Sequence, residues 1–205
     1  MTPTPEFQLG FLTKLQRVFA EGDFTATYKF ALLIALADLA VEHGKDDDSS
    51  LEIKYRDIGL KFIELYWQQA TPYKNSEVLF QNLGKQAVAI RKIVEYRREH
   101  HVSTVHAAQS DPQFRSLITA VTSTVKSQPV KYLQNLAGGQ DEFLYQADQD
   151  GLRLLSGVSF CLRRFRPLIQ QLAINHWLDH IKTNKLNVQL VGKDAHLEEF
   201  LFETP

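Results

Sequence analysis

Apolar side chains recur at helical spacing along most of the chain. Residues 6–20 place them at intervals of three and four positions, and Gly22 follows as a stop signal. The segment from Phe30 to Val41 is apolar nearly all round, which is typical of a helix enclosed by other elements. We therefore expect this segment to be the central helix of the fold, ending at Gly44.

The remaining pattern is mostly helical, with a small β component. Helical spacing returns in 56–69, in 88–98, more weakly in 107–137, where Gly138 and Gly139 are expected to close the last helix, and in 156–184, where Pro167 marks a kink or a new start. Residues 51–54 alternate like a short strand, and two apolar runs flank Asp150-Gly151, a common hairpin signal. The pattern predicts a mainly α, single helical domain around a buried central helix with a small β-hairpin. Two lobes, 1–106 and 107–205, are an alternative division.

Composition narrows the class of protein. Twenty-three basic and 24 acidic residues give a net charge of -1, which argues against a chain coated in positive charge. The one cysteine, Cys161, predicts a reducing, cytoplasmic setting. The N-terminus has no signal-peptide pattern, and the most apolar run is too short to span a membrane, so no membrane partner is expected.

Basic residues nevertheless cluster in two places. Arg163, Arg164 and Arg166 crowd around Phe165 and Pro167, where one continuous helix would place them opposite an apolar face. If Pro167 instead begins a new helix, they flank a helix N-terminus that favours an anion. The plainer interpretation is a solvated face paired with acidic residues of 141–150.

The second cluster lies between residues 85 and 99, which carry a local net charge of about +3 and are followed by histidines. Lys85 and Arg91 begin this cluster, and guanidinium groups bind phosphate oxygens bidentately. Just before it, the amides of Gln81 and Asn82 are able to read an adenine edge, and Gly84 permits close approach of a ligand. A basic helix end and an ordinary loop are the plainer alternatives.

A third candidate is the segment HWLDH, in which His176 and His180 are spaced for a metal on one helix face. The glutamate of the zinc-hydrolase motif is absent, and no third ligand is evident. Core packing therefore explains His176 better, and no metal or other cofactor is expected in this chain. Nucleophile elbows, phosphate-binding glycine loops and dinucleotide fingerprints are absent from the sequence.

Several segments together resemble the amino-terminal region of bacterial HNH endonuclease-like proteins. They run collinearly over nearly the whole chain: FTATYKFALLIALADLAVEHG, KFIELYWQQATPY, NLGKQAVAIRKI, GLRLLSGVSFCLRRFRPLIQQL, HWLDHI and HLEEFLF. The last segment matches the junction before the nuclease domain of that family. The resemblance implies that a metal-binding HNH domain, with its divalent metal, follows Pro205 or sits on a separate subunit, and it assigns no catalytic residue to this chain.

A more distant similarity concerns the sulfur-recognising DNA-binding domains of modification-dependent restriction enzymes. It rests on YKFALLIALADL, the proline-tyrosine turn and LFQNLG, and it lacks the tryptophan-rich segment of those domains. The similarity implies that double-stranded DNA, plain or modified, is contacted through its backbone.

The sequence thus predicts the DNA-recognition or regulatory module of an HNH-type restriction or phage-defence endonuclease. Phosphate contacts are expected from Lys85, Arg91, Arg163, Arg164 and Arg166, and a reading surface from Tyr28, Lys29, Gln81 and Asn82. The alternative is a helical protein-interaction or dimerisation module that does not bind nucleic acid.

Overall fold

The computed structural model describes residues 1–192 and 194–202 of the chain. Eleven α-helices are present in this part: α1 (Pro5–Glu21), α2 (Tyr28–His43), α3 (Tyr55–Trp67), α4 (Val88–His100), α5 (Val105–Gln109), α6 (Phe114–Ser127), α7 (Pro129–Tyr132), α8 (Val158–Arg164), α9 (Arg166–Thr183), α10 (Val188–Val191) and α11 (Leu197–Phe202). The strands are β1 (Leu51–Lys54), β2 (Asn135–Leu136), β3 (Gly139–Gln140), β4 (Tyr145–Ala147) and β5 (Gly151–Leu154). The prediction of a mainly α single domain is confirmed.

Helix α2 is the buried centre of the domain, as its sequence predicts. Every residue from Tyr28 to Ala37 is buried, and the helix packs against α3, α8 and α9. Because apolar side chains cover the whole circumference of α2, each neighbouring helix shields a different face of α2 from water. Around it, α3 packs on α6, and α6 on α4. One continuous core of buried side chains runs from Phe11 to Leu201 and crosses the boundary near residue 106.

The predicted hairpin at Asp150-Gly151 is confirmed, and it belongs to a larger sheet. Strands β4 and β5 pair antiparallel, with Tyr145 opposite Leu154. On its other edge β5 pairs antiparallel with β1, and Ile53 lies opposite Leu152. The three-stranded order β1-β5-β4 therefore joins two segments that lie about a hundred residues apart in sequence.

One expectation from the sequence is corrected. Gly138 and Gly139 do not close a helix; Gly138 lies in the turn of a second hairpin, β2-β3, and Gly139 begins β3 with a φ of +113°. That backbone conformation is open to glycine and strained for other residues. The helical segment 156–184 is interrupted near Pro167, as the sequence predicts: α8 and α9 are separated at Phe165, and Pro167 lies in the first turn of α9.

The break at Phe165 also changes the predicted apolar face. A continuous helix would place Cys161, Leu168 and Ile169 on one side. Cys161 and Ile169 are buried, but Leu168, which follows the break at Phe165, is 47% exposed. Within residues 1–192 and 194–202, no helix is both long and apolar enough to cross a membrane.

Candidate nucleic-acid interface

A tight turn at residues 82–85 is fixed beside the N-terminus of α2. The N–H of Thr27 donates to the Gln81 carbonyl at 3.0 Å, and the N–H of Leu83 donates to the Thr25 carbonyl at 2.9 Å. Gly84, at φ +77°, lets the chain reverse between Asn82 and Lys85, which form an isolated antiparallel bridge. The turn therefore presents the exposed side chains of Leu83 and Lys85 next to α2.

Gln81 lies inside the core and is not available to a ligand. Its side chain is fully buried, and its Oε1 accepts hydrogen bonds from Thr27 Oγ1 at 3.0 Å and from Trp177 Nε1 at 2.7 Å. Its predicted role as a reader of an adenine edge is therefore wrong, because the amide is used to join the 81–87 loop, α2 and α9. Asn82 is only partly buried and remains at the surface beside the turn.

Tyr28 joins the N-termini of α2 and α4. It is 6% exposed, and its hydroxyl accepts a hydrogen bond from the Ala89 N–H at 3.0 Å. Burial raises the pKa of the Tyr28 hydroxyl, while the nearby positive charge of Arg91 acts in the opposite direction. Tyr28 thus positions the beginning of α4, with Arg91, beside the beginning of α2.

Lys29 is a buried cation without an anionic partner among the described residues. It is 8% exposed, and its Nζ lies 5.2 Å from the centre of the Phe24 ring. Burial lowers the pKa of Lys29, and the carboxylate of Asp23 partly offsets that effect. The stem of Lys29 is buried, and its ammonium group is compensated only by a ring and a nearby carboxylate, which makes the charge costly for the fold.

A cavity of about 380 Å³ opens at this point. The N-terminal region of α2 and the segment before it form one wall, with Asp23, Thr25 and Lys29 among its residues. The segment around α7 forms the other wall through Gln128, Tyr132 and Asn135, among others. This volume lies within the range of small-molecule sites in proteins.

The residues of the second wall were not predicted from the sequence. They lie about a hundred positions beyond α2, in a segment with weak helical spacing, and no local pattern marks them as a site.

Two cations of the second predicted cluster remain free beside the cavity. Lys85 and Arg91 are both exposed, and neither forms an ion pair within residues 1–192 and 194–202. Lys131, which lies between two cavity-lining residues of α7, is exposed as well. These three exposed cations each adjoin the lining of the cavity: Lys85 through the turn bonded to Thr25, Arg91 through Tyr28, and Lys131 as the neighbour of Tyr132. Lys85, Arg91 and Lys131 are together called the basic rim.

Two other basic residues of α4, Lys92 and Arg97, have partners within the domain. Arg97 donates to the Trp67 carbonyl at 3.0 Å and to Thr71 Oγ1 at 2.9 Å. Lys92 pairs with Glu95 at 2.9 Å along the helix. At the end of α4, His100 lies 2.7 Å from Asp111, which also accepts a hydrogen bond from Tyr96. Arg98 is exposed and forms no ion pair in the described part of the chain, so only the charge of Lys92 is neutralised by a carboxylate of this segment.

The three arginines that precede Pro167 lie at the opposite end of α2. Arg163 donates to the Gly44 carbonyl at 2.5 Å and pairs with Asp46 at 3.0 Å, and Arg166 pairs with Asp38 at 2.6 Å. Their acidic partners thus belong to α2 and the loop after it, and not to residues 141–150 as the plainer interpretation expected. Arg164 is exposed and forms no ion pair in the described part of the chain.

The two predicted basic clusters do not form one patch. Tyr28, which contacts the beginning of α4, and Ala40, which contacts Arg163, are separated by about 18 Å along the axis of α2. The side chains extend from opposite ends of the helix that fills the core. The structure therefore brings Tyr28, Lys29, Asn82, Lys85 and Arg91 together, and places Arg163, Arg164 and Arg166 elsewhere.

The histidines of HWLDH are also part of the core. His176 stacks on Phe19 with ring centres 4.9 Å apart, and His180 is 9% exposed. Burial lowers the pKa of His180 and favours its neutral form. Among the residues that the structure describes, no group of three histidine, cysteine or acidic side chains is placed to hold a metal ion.

Fold and surface together define a mainly α single-domain protein in which a basic rim borders a polar cavity at the beginning of the central helix. Residues 8–199 match the model of a family described as a domain of unknown function, DUF8808, and the chain belongs to that family. No curated protein matches the chain. No solved structure matches it either.

Proposed function

We propose that this chain is a DNA-recognition module that binds the phosphate backbone of double-stranded DNA at the basic rim. One observation carries the proposal: Lys85 and Arg91 are exposed cations without an ion-pair partner in the described part of the chain, and they adjoin Thr25 and Tyr28, which line the same cavity as Lys29. Arginine and lysine side chains that are not neutralised by carboxylates are the groups that replace counterions on DNA.

The collinear resemblance to the amino-terminal region of HNH endonuclease-like proteins supports the same assignment. In this proposal the module recognises DNA, and an HNH domain in the same chain or on a second subunit cuts it. The low overall charge of -1 is compatible with a single local contact surface, since affinity depends on the charges that face the DNA.

The affinity for DNA should fall as the salt concentration rises, but less steeply than it would if both basic clusters contacted the DNA. Three cations at the rim predict a slope of about -2 to -3 for the logarithm of affinity against the logarithm of salt. The arginines at 163 and 166 add nothing to this slope because their charges are already paired with Asp46 and Asp38.

The test is fluorescence anisotropy of a labelled duplex of about 20 base pairs, titrated between about 50 and 200 mM salt. We expect Lys85→Ala and Arg91→Ala each to weaken binding by about three- to tenfold and to reduce the slope by about one. Arg164→Ala is the matched control, because it removes an exposed, unpaired arginine at the other end of α2, and its affinity should equal that of the unchanged protein. Absence of duplex binding at the lowest salt, or an equal loss in the control, would overturn the proposal.

A protein-interaction module is the second candidate, and exposed apolar side chains support it. Leu83 is 50% and Val88 38% exposed on the same side of the molecule as the rim. Light scattering that shows a concentration-dependent dimer, lost in Leu83→Ser and unaffected by salt, would favour this function over DNA binding.

A further inference from the structure

The first turn of α2 adjoins the cavity and has no side-chain cap. Thr27 occupies the capping position, but it makes no capping hydrogen bond. Its hydroxyl lies instead in the core, 2.7 Å from the Tyr66 hydroxyl and 3.0 Å from Gln81 Oε1. The first turn also contains no acidic side chain. Its N–H groups and the positive end of the helix dipole therefore remain available to an anion.

Lys29 is the independent observation that points to a ligand at the same place. More than nine-tenths of this residue is buried, it lines the cavity, and no carboxylate of the described chain lies within ion-pair distance of its Nζ. An ammonium group and a helix N-terminus that share one cavity together form a site for a phosphoryl or carboxylate group.

The rest of the lining makes a simple inorganic anion a poor match. Asp23, on the same wall as Lys29, would repel a second negative charge, whereas it would accept a hydrogen bond from an amino or imino group. The amides of Gln128 and Asn135 can both donate and accept, and the half-exposed ring of Tyr132 offers an aromatic face. The matching ligand is anionic at one end and has a flat, hydrogen-bonding ring at the other.

We propose that this cavity receives one nucleotide, with its phosphoryl group at Lys29 and the first turn of α2, and its base against Tyr132. The polar edge of the base would face Asp23, Gln128 and Asn135. This inference rests on the proposed function, because the nucleotide would come from the DNA duplex bound at the basic rim. Its base would be turned out of that duplex into the cavity. A base that leaves the stack needs an aromatic face and hydrogen-bonding groups to compensate for its lost partners.

The test uses a duplex with 2-aminopurine at the central position, because the fluorescence of this base rises when it leaves the stack. We expect an increase on binding to the unchanged protein. Tyr132→Ala and Lys29→Met should abolish the increase, and each should weaken duplex binding by about tenfold or less, since the rim remains. Leu168→Ala, which removes a similarly exposed apolar side chain far from the cavity, is the control and should behave as the unchanged protein.

The outcomes separate the two proposals. Duplex binding with the predicted salt slope, but with no fluorescence increase and no effect of either cavity variant, would overturn the nucleotide site and leave DNA binding at the rim intact. Calorimetry with free deoxynucleoside monophosphates distinguishes the sources: their binding in the absence of duplex binding would overturn the DNA proposal and assign the cavity to a free nucleotide. Circular dichroism of both variants checks that they are folded.

Discussion

Arg163 donates a hydrogen bond to the carbonyl oxygen of Gly44, at the C-terminus of the central helix, with a distance of 2.5 Å between donor and acceptor. The same guanidinium contacts the carbonyl oxygens of Ala40 and Val41 at 3.4 and 3.3 Å. The last carbonyls of a helix lack partners within the helix, and a cation near them also interacts favourably with the dipole. Arg163 is therefore a C-terminal cap for α2, supplied from α8.

This role predicts that Arg163→Ala lowers the free energy of unfolding. The side chain is 24% exposed, so its hydrogen bonds are partly screened, and we expect a loss of about 1–2 kcal/mol. The measurement is urea denaturation followed by circular dichroism. Arg164→Ala, one position further along, should change stability by no more than about 0.5 kcal/mol. Equal effects of the two substitutions would contradict the capping role.

The ion-pair partners of the arginines could not be predicted from the sequence. The surplus of positive charge at 163–166 is visible in the sequence, but Asp38 and Asp46 lie more than a hundred positions away. No local pattern indicates that they are close to the arginines in space. The central helix was predictable because its apolar residues cover the whole circumference. Pairing of β1 with β5 was not, since four residues of alternating pattern do not specify a partner strand.

The prediction that Gln81 reads a base edge was wrong for a related reason. A polar amide in a loop next to Gly84 predicts exposure, yet Thr27 and Trp177 supply its hydrogen bonds from 54 and 96 positions away. The cavity shows the same limit, because Asp23 and Tyr132 acquire their meaning only when α7 lies beside α2. The type of a side chain indicates which interactions it can form, whereas its tertiary contacts determine which of them it forms in the folded protein.

Replacing Gln81 with alanine should therefore destabilise the protein without a direct effect on the basic rim. The substitution leaves the indole N–H of Trp177 without an acceptor in the core and creates a cavity, which together cost about 2–4 kcal/mol. Urea denaturation measures the loss. Asn82→Ala is the matched control, since it removes the same amide group from a partly exposed neighbour and should cost about 0.5 kcal/mol or less. A small effect at 81 and a large one at 82 would show that the amide of Asn82 is the buried one.

Cys161 should be unreactive in the folded protein. Its side chain is fully buried, and burial raises the pKa of the thiol to about 11, with a small opposing effect of Arg164. The thiolate is the reacting form, so we expect labelling by a disulfide reagent near pH 8 only after urea unfolds the chain. Fast labelling of the folded protein would contradict the burial of this residue.

The raised pKa of Cys161 also predicts a loss of stability in alkali. A group whose pKa is higher in the folded state contributes stability that is complete below the unfolded-state pKa of about 8.5. That contribution is lost as the pH rises toward about 11. Cys161→Ala should lack this component, so the difference in unfolding free energy between the two proteins should change between about pH 8 and 11. A difference that stays constant over this range would show that the thiol is not shielded.

Lys29→Met should raise stability while it removes the ligand site. Burial lowers the pKa of Lys29, which means that the charged form is costly in the folded state. A group with a lowered pKa contributes stability that is present above the unfolded-state pKa, about 10.4, and is lost as the pH falls through the folded-state pKa. At neutral pH the unchanged protein therefore carries the cost, and methionine keeps the apolar stem without the charge.

The expected result is a higher urea midpoint for Lys29→Met at pH 7, by an amount that shrinks as the pH is raised toward about 10. Lys85→Met is the control, because that exposed lysine should show neither effect. A polar group that lines a cavity and lowers stability is typical of a binding site. If Lys29→Met is instead less stable at pH 7, the ammonium serves the fold, and Lys29 does not indicate a nucleotide site at the beginning of α2.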